Sequence, residues 1–271
     1  MTPNEAGPLR SGVTAIVLTL DEAEHLPACL ESLRFADRVI VVDSGSRDGT
    51  TALARAAGAA VVHHPFVNYS RQREFALSLS ATRWSLFVDA DERVPAALAD
   101  EIRRVVDRDA SVRTDDAPAG YWIPRANVFW GHTLRGGGWW PDHQLRLLRT
   151  GRAHYDLRRA VHEVASLDGP AGSLANPLVH LNYASWAEFD AKQRAYARLD
   201  AQRRLADGWR LRPHQRITQP LRAMYYRYVT LGGWRDGWLG LRLAMKMAAT
   251  EASTLALMRG GPGSRPDPST P

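Results

Sequence analysis

Apolar residues in the first ninety positions fall into short unbroken runs, with helical periodicity between them. "GVTAIVLTL" (12–20), "DRVIVVD" (37–43), "AAVVHH" (59–64) and "WSLFVDA" (84–90) have strand length and are rich in β-branched residues. Between them Leu26, Cys29, Leu30 and Leu33 recur at helical spacing. "DGTTALARAAG" reads as a helix entered through Asp48 and closed by Gly58, and "SRQREFALSLSA" (70–81) predicts another. Strands apolar on both faces, alternating with helices, predict a largely parallel sheet covered on each side.

From residue 95 a helix, "PAALADEIRRVVDR", leads into the polar loop "DASVRTDDAPAG", and the rhythm then changes. "GYWIPRA", "HQLRLLRT", "AVHEVASL" and "PLVHLNY" read as strands, the first two separated by the glycine-rich aromatic segment "WGHTLRGGGWWPD". After Ser185 the pattern is helical. The expected division is an α/β domain over 12–184, a helical region over 185–258 and a disordered tail over 259–271. No internal repeat is present.

With 271 residues and 45% hydrophobic content, the chain can bury a sizeable core. Its single cysteine, Cys29, excludes an intrachain disulfide and a four-cysteine zinc site, so any metal must use oxygen and imidazole. The opening "MTPNEAGPLRSG" carries acids and prolines where an export signal needs a basic and then an apolar segment. No run of about 18 apolar residues predicts a membrane-spanning helix. These features predict a cytoplasmic location. The net charge is +6 and the cations are arginines apart from Lys192 and Lys246. Arginine forks bind phosphate oxygens bidentately, which admits phosphorylated substrates, anionic membrane and nucleic acid.

In open parallel sheets ligands bind outside the carboxyl ends of the strands. Those ends carry Thr19, Asp21 and Glu22, then Asp43, Ser44 and Ser46, then Asp89, Asp91 and Glu92. So many acids at one edge repel one another unless a cation neutralises them. Carboxylate ligands favour a hard divalent ion, magnesium or manganese, completed by phosphate oxygens and water. The plainer reading of "DADE" is a solvated strand end leading into a helix. "VVDSGSRDGT" lacks the P-loop lysine and the spaced glycines of a dinucleotide fingerprint, so neither an ATPase nor an NAD enzyme is supported. Asp48 there reads as a helix cap.

The ordered series "AIVLTLDEAEHLPACLESL", "VIVVDSGSRDGT", "SLFVDADE", "GGGWWPDHQLRLLRTGRAHY" and "VHE" resembles family 2 glycosyltransferases of the GT-A fold, in particular the bacterial lipopolysaccharide core β-glucosyltransferase group. The resemblance covers roughly residues 12–185, and the closing "GGWRDGWLG" also looks like that group. It implies a Rossmann-like, mostly parallel mixed sheet with a C-terminal helical extension. The implied reaction is inverting transfer of a hexose, glucose by analogy, from a UDP-linked nucleotide-sugar to a hydroxyl of a lipid-linked or cell-envelope glycan. By the same analogy Thr19, Glu22 and Asp43 line the uridine site, Arg73 approaches the nucleotide, Asp91 binds the metal, and Asp89 contacts ribose or metal-bound water. Asp21 and Glu74 stand where that group usually has asparagine.

Displacement at an anomeric carbon needs a base for the acceptor proton. Glu163 is the first candidate because it resembles the acid that follows the glycine loop in GT-A enzymes; Asp142 is its rival, unless Asp142 pairs with Arg146 and Glu163 caps a strand. The fold's habit of supplying a late histidine implies His180 as a second metal or diphosphate ligand. His162 orients its neighbour or the acceptor, and His63 and His64 read as structural. "RGGGWWP" offers flexible backbone and two aromatic faces, Trp139 and Trp140, to an acceptor sugar; the alternative is a packed corner. The helices beyond residue 208 mix aromatic residues with arginine, which suits a membrane surface, and a helical pair packed on the domain or on a second protomer is the alternative. These readings place the protein peripherally at the inner face of the cell membrane. Transfer to a polyprenyl phosphate and a non-catalytic nucleotide-binding, membrane-docking protein are the competing functions. Nucleic acid is not expected as a partner, because no reading motif orders the cations and acids line the cleft.

Overall fold

The computed structural model describes residues 9–111, 117–157, 164–183 and 185–258. Four parallel strands, β1 (Arg10–Thr19), β2 (Arg38–Asp43), β3 (Ala60–His63) and β4 (Thr82–Asp89), lie in the order β3-β2-β1-β4. Helices α1 (Leu26–Ser32), α2 (Thr50–Ala56) and α3 (Tyr69–Ser78) make the crossovers. Alternation along the strands sends Ala15, Val17, Val41, Leu86 and Val88 to one core with Leu26, Cys29 and Leu30 of α1. Ile16, Ile40, Val42 and Phe87 go to a second core with Ala76 and Leu77 of α3. Burial on both faces is what the unbroken apolar runs encode.

The sheet continues differently. After the two-residue strand β5 (Glu92–Arg93) and helix α4 (Ala96–Ser111), strand β6 (Gly120–Phe129) carries the short β7 (His132–Thr133) on its edge. Strand β8 (Asp142–Arg149) runs antiparallel between β4 and β6. Strands β9 (Ala153–His154) and β10 (Ser166–Leu167) form a separate pair, β11 (Ala171–Ser173) adds to β6, and β12 (Leu178–Tyr183) follows β6 and pairs with β5. The parallel arrangement thus holds through residue 89, and β8 and β6 complete a mixed sheet. Of the strand expected at "AVHEVASL", only Ser166–Leu167 is a strand among the described residues; His162 and Glu163 lie outside them, as does the tail.

Contacts divide the chain into two units, one of residues up to 126 with 142–181, the other of 127–141 with residues from 182 onward. In the second unit helix α5 (Trp186–Ala206) is followed by α6 (Gln215–Tyr225) and α7 (Gly237–Leu257), the last two joined through a π-helical turn at Tyr226–Thr230 and a 3-10 turn at Gly233–Asp236. Ser185 caps α5, its hydroxyl accepting the Glu188 N–H at 3.1 Å. Residues 127–141 belong here, rather than with the α/β domain, because Phe129 and Leu134 share a core with Tyr183, Phe189 and Leu243. The segment "RGGGWWP" is a packed corner. A Cβ on Gly136 would stand 2.1 Å from the Gly232 carbonyl oxygen, and one on Gly240 1.9 Å from that of Gly233. The buried Asp236 carboxylate fixes the corner by accepting the N–H groups of Arg135 at 2.8 Å and Gly136 at 3.0 Å.

Candidate active site

The carboxyl ends of β1, β2 and β4 sit side by side, with Thr19 opposite Asp43 and Leu18 opposite Asp89. Asp43 is buried and accepts from the Thr19 hydroxyl at 3.1 Å, the backbone N–H groups of Gly45 and Ser46 at 2.9 and 3.0 Å, and the Ser46 hydroxyl. Burial works to raise its pKa, and these donors, the Ser46 hydroxyl foremost, hold it below the ordinary carboxylate value. The neighbouring loop is laced to it. Asp21, in a left-handed conformation (φ 55°) that asparagine and aspartate tolerate best, accepts the Arg47 N–H at 2.7 Å. The Glu22 N–H donates to the Thr50 hydroxyl at 2.8 Å, and the Ala23 N–H to Asp48 at 2.9 Å. Asp48 also accepts the Thr50 N–H at 3.1 Å, but it stands one residue before the cap of α2, which is Gly49 and not the Asp48 expected from the sequence.

Asp89, at the end of β4, is gripped by Arg146, whose Nη1 donates to Oδ1 at 3.2 Å while Nη2 donates to Oδ2. Arg73 from α3 donates to the same Oδ1 at 3.4 Å. Burial would raise the Asp89 pKa; the Arg146 and Arg73 guanidiniums override it and hold the carboxyl far below its usual range. Glu92 is fully buried beneath it. It accepts the Asp89 N–H at 2.9 Å, Arg146 at 3.0 Å and Arg125 at 3.3 Å. Burial pushes the Glu92 carboxyl up despite Arg146. The Cys29 thiol, its pKa raised to about 12 by burial, donates to the Asp89 carbonyl at 3.6 Å.

The geometry of β8 explains how an arginine reaches this position. Tyr121 pairs with Leu147 and Trp122 with Leu145, so Arg146 is the extra residue of a bulge, which re-aims a side chain within a strand. Asp142 does not pair with Arg146. Residues four apart on a strand are about 13 Å apart, whereas Arg125 lies directly across from Asp142 and donates Nε at 2.8 Å and Nη2 at 2.6 Å to its Oδ2. Gln144 donates to Oδ1 at 2.7 Å.

Asp91 is free of this arginine network. Pairing of β12 with β5 sets His180 opposite Glu92, and His180 Nε2 stands 3.2 Å from Asp91 Oδ2. A carboxylate oxygen and an imidazole nitrogen at that distance are spaced as neighbouring ligands on an octahedral ion with bonds of about 2.1 Å, which lie about 3 Å apart. Among the described residues no group of three such side chains gathers. A magnesium or manganese site of one or two protein ligands completed by phosphate and water fits this pair.

Residues 14–150 match the family described as glycosyl transferase family 2. Over 255 residues, 90% of each chain, the protein is 30% identical to LpsC of Rhizobium meliloti, a lipopolysaccharide core biosynthesis glycosyltransferase. The chain belongs to glycosyl transferase family 2. An uncharacterized glycosyltransferase of Rickettsia felis is 39% identical over 94 residues, 34% of this chain and 33% of that one. Among solved structures, TarS 1-349 of S. aureus aligns over 92% of this chain and 91% of its own at 15% identity and TM-score 0.49. Glucosyl-3-phosphoglycerate synthase of Mycobacterium tuberculosis, solved with Mn2+, UDP-glucose and phosphoglyceric acid, aligns over 31% and 34% at 26% identity and TM-score 0.27.

In this family 2 glycosyltransferase the GT-A sheet therefore brings Thr19, Glu22, Asp43, Arg73, Asp89, Asp91, His180 and Asp142 into one unit. Trp139 and Trp140 belong to the other. Trp139 is engaged there, edge-on to Phe129 at 5.1 Å with Arg227 over its ring at 5.8 Å, and Trp140 is half-buried. Glu74, in the position where asparagine was expected, accepts the Tyr155 N–H at 2.7 Å. His64 hydrogen-bonds Gln72 at 2.8 Å and stacks on Phe75, a structural role. The sequence reading named Glu92 only as one of the acids at the strand ends and Arg146 only as a partner for Asp142, and it did not single out Arg125. The one signal for the arginines was charge balance, since acids at a buried strand end require cations from neighbouring strands.

Proposed function

We propose that this family 2 glycosyltransferase moves a hexose, glucose in the first instance, from a UDP-linked sugar to a hydroxyl of a lipopolysaccharide-core or related envelope glycan, with inversion. The observation that carries the reading is the Asp91–His180 pair at the carboxyl edge of the parallel strands; the likeness to LpsC along 90% of both chains supports the acceptor class. Asp91 and His180 would hold a divalent ion, manganese or magnesium, which when bound would supply positive charge to offset that of the diphosphate leaving group. Thr19, Glu22 and Asp43 face the nucleoside, with Asp43 stiffening the loop it anchors. Asp89, fixed by Arg146 and Arg73, presents its remaining surface to the ribose.

The acceptor hydroxyl attacks the anomeric carbon, its proton passes to a carboxylate, and the bond to the diphosphate oxygen breaks. Glu163 is that carboxylate. Both oxygens of its rival Asp142 already accept hydrogen bonds from Arg125 and Gln144, which supports the choice. The sequence reading further assigns Trp139, Trp140 and His162 to the acceptor. The reaction takes place at the inner face of the cell membrane.

The test is a panel of UDP-, GDP- and dTDP-sugars incubated with manganese, reading nucleotide release. Slow hydrolysis of one UDP-hexose, abolished in Asp91→Ala, is expected. Release from no donor overturns the proposal, and full turnover in both Glu163→Gln and Asp142→Asn transfers the case to a phosphate acceptor that needs no base.

A further inference from the structure

Seven large apolar side chains between residues 215 and 238 lie in water, Tyr226 among them at 51% exposure. Ile217, Leu221 and Tyr225 are 69, 59 and 61% exposed, and Val229, Trp234 and Trp238 are 46, 56 and 71% exposed. Ile217, Leu221, Tyr225 and Val229 recur at every fourth position of a helical stretch, so they share one side of it. No residue of α6 is buried. Gly233 approaches so closely that an added Cβ would stand 2.7 Å from the Arg227 carbonyl, which sets the turn bearing Trp234 beside the C-terminal end of that stripe.

The same stretch is strongly basic. Over residues 209–250 the only acid is Asp236, against Arg210, Arg212, Arg216, Arg222, Arg235, Arg242 and others. Asp236 is buried and accepts backbone N–H groups of the glycine corner, so it screens none of them. The ion pairs of α5 and α7 fall on Lys192, Arg203, Arg204 and Lys246. Arg216, Arg222, Arg235 and Arg242 are exposed.

We propose that this face docks on the surface of a bilayer containing anionic lipid, its tryptophans and tyrosine at headgroup depth and its arginines on lipid phosphate. A two-fold contact with a second copy would set the same arginine-rich face against itself, whereas an anionic surface is complementary to it. The contact runs along the bilayer, and no helix among the described residues is long and apolar enough to cross one. The inference stands apart from the donor and acceptor assignment and is tested without turnover.

The full chain is sedimented with vesicles of phosphatidylcholine alone and of phosphatidylcholine mixed with phosphatidylglycerol. Binding to the mixed vesicles only, reversed by salt, is expected. Arg216→Glu with Arg222→Glu, and separately Trp234→Ala with Trp238→Ala, lower the partition coefficient about tenfold or more. Ile217→Ser with Leu221→Ser serves as the variant least able to disturb folding, because α6 buries nothing, and circular dichroism confirms each fold. Equal binding to neutral vesicles, undiminished binding of all three variants, or a dimer that these variants dissociate would overturn the proposal.

Discussion

Arg146 and Asp89 form a two-pronged ion pair across the β4–β8 boundary, and the same guanidinium reaches the fully buried Glu92 at 3.0 Å. Removing the arginine leaves Asp89 to Arg73 at 3.4 Å and the fully buried Glu92 to Arg125 at 3.3 Å, both longer contacts than those lost. Arg146→Met is expected to cost about 3–5 kcal/mol, the usual consequence of breaking a buried pair from one side. Calorimetry should register a fall in unfolding midpoint of about 10 °C. Arg146→Lys should recover little, because an ammonium cannot grip both oxygens. Adding Glu92→Gln to Arg146→Met should restore part of the loss, and strict additivity of the two would show that they do not interact.

Asp43 contributes a separable part of the pH dependence, beside Asp89, whose carboxyl Arg146 and Arg73 hold lower still. The folded pKa of Asp43 lies below the ordinary value of 3.8, so the unfolded chain binds the proton more readily. Its stabilising contribution is therefore fully present above 3.8 and is lost as pH falls through the folded value. Ser46→Ala removes the largest of the effects that lower that pKa. The variant should lose about 1 kcal/mol at neutral pH and show a shallower decline than the native chain in urea melts between pH 5 and 3, ranges chosen to bracket about one unit either side of the carboxylate value. A decline as steep as the native one would place the acid sensitivity elsewhere.

The first four strands and their acidic ends were legible because each parallel strand is buried on both faces and ends at one edge, so local sequence carries the tertiary arrangement. The arginine network was not. Its geometry depends on a one-residue bulge at Arg146 and on the register that sets Arg125 against Asp142, and neither leaves a mark in hydrophobic periodicity. The glycines of "RGGGWWP" suggested flexibility, yet two of the contacts that require their small size come from Gly232 and Gly233, far along the chain. His180 was found through family resemblance; the pairing of β12 with β5 supplies the physical reason it stands beside Asp91.

The glycine corner makes a sharper prediction than flexibility would. Gly136 and Gly240 need no left-handed backbone, and what excludes a methyl group is the carbonyl oxygen 2.1 or 1.9 Å from its place. Backbone cannot swing aside as a side chain can. Gly136→Ala and Gly240→Ala should each destabilise by about 3 kcal/mol or more, at the upper end of overpacking costs. Thermal melts should resolve the loss, and a near-neutral result would mean that the corner opens readily.

His180 and Asp91 can be tested as a ligand pair rather than as a structural contact. If their role is to hold a divalent ion, loss of the Asp91 contact in His180→Ala should by itself cost about 1 kcal/mol of stability without metal, with loss of the buried imidazole adding to it. The manganese concentration needed for half-maximal nucleotide release should rise at least as much as the tenfold to about hundredfold that outer-shell changes cause. Titration calorimetry with manganese and UDP should show the same weakening, and Asp91→Asn should remove the binding signal. A large loss of stability in His180→Ala, with its manganese requirement unchanged, would make the pair a strut between β5 and β12 and send the search for the ion to other residues.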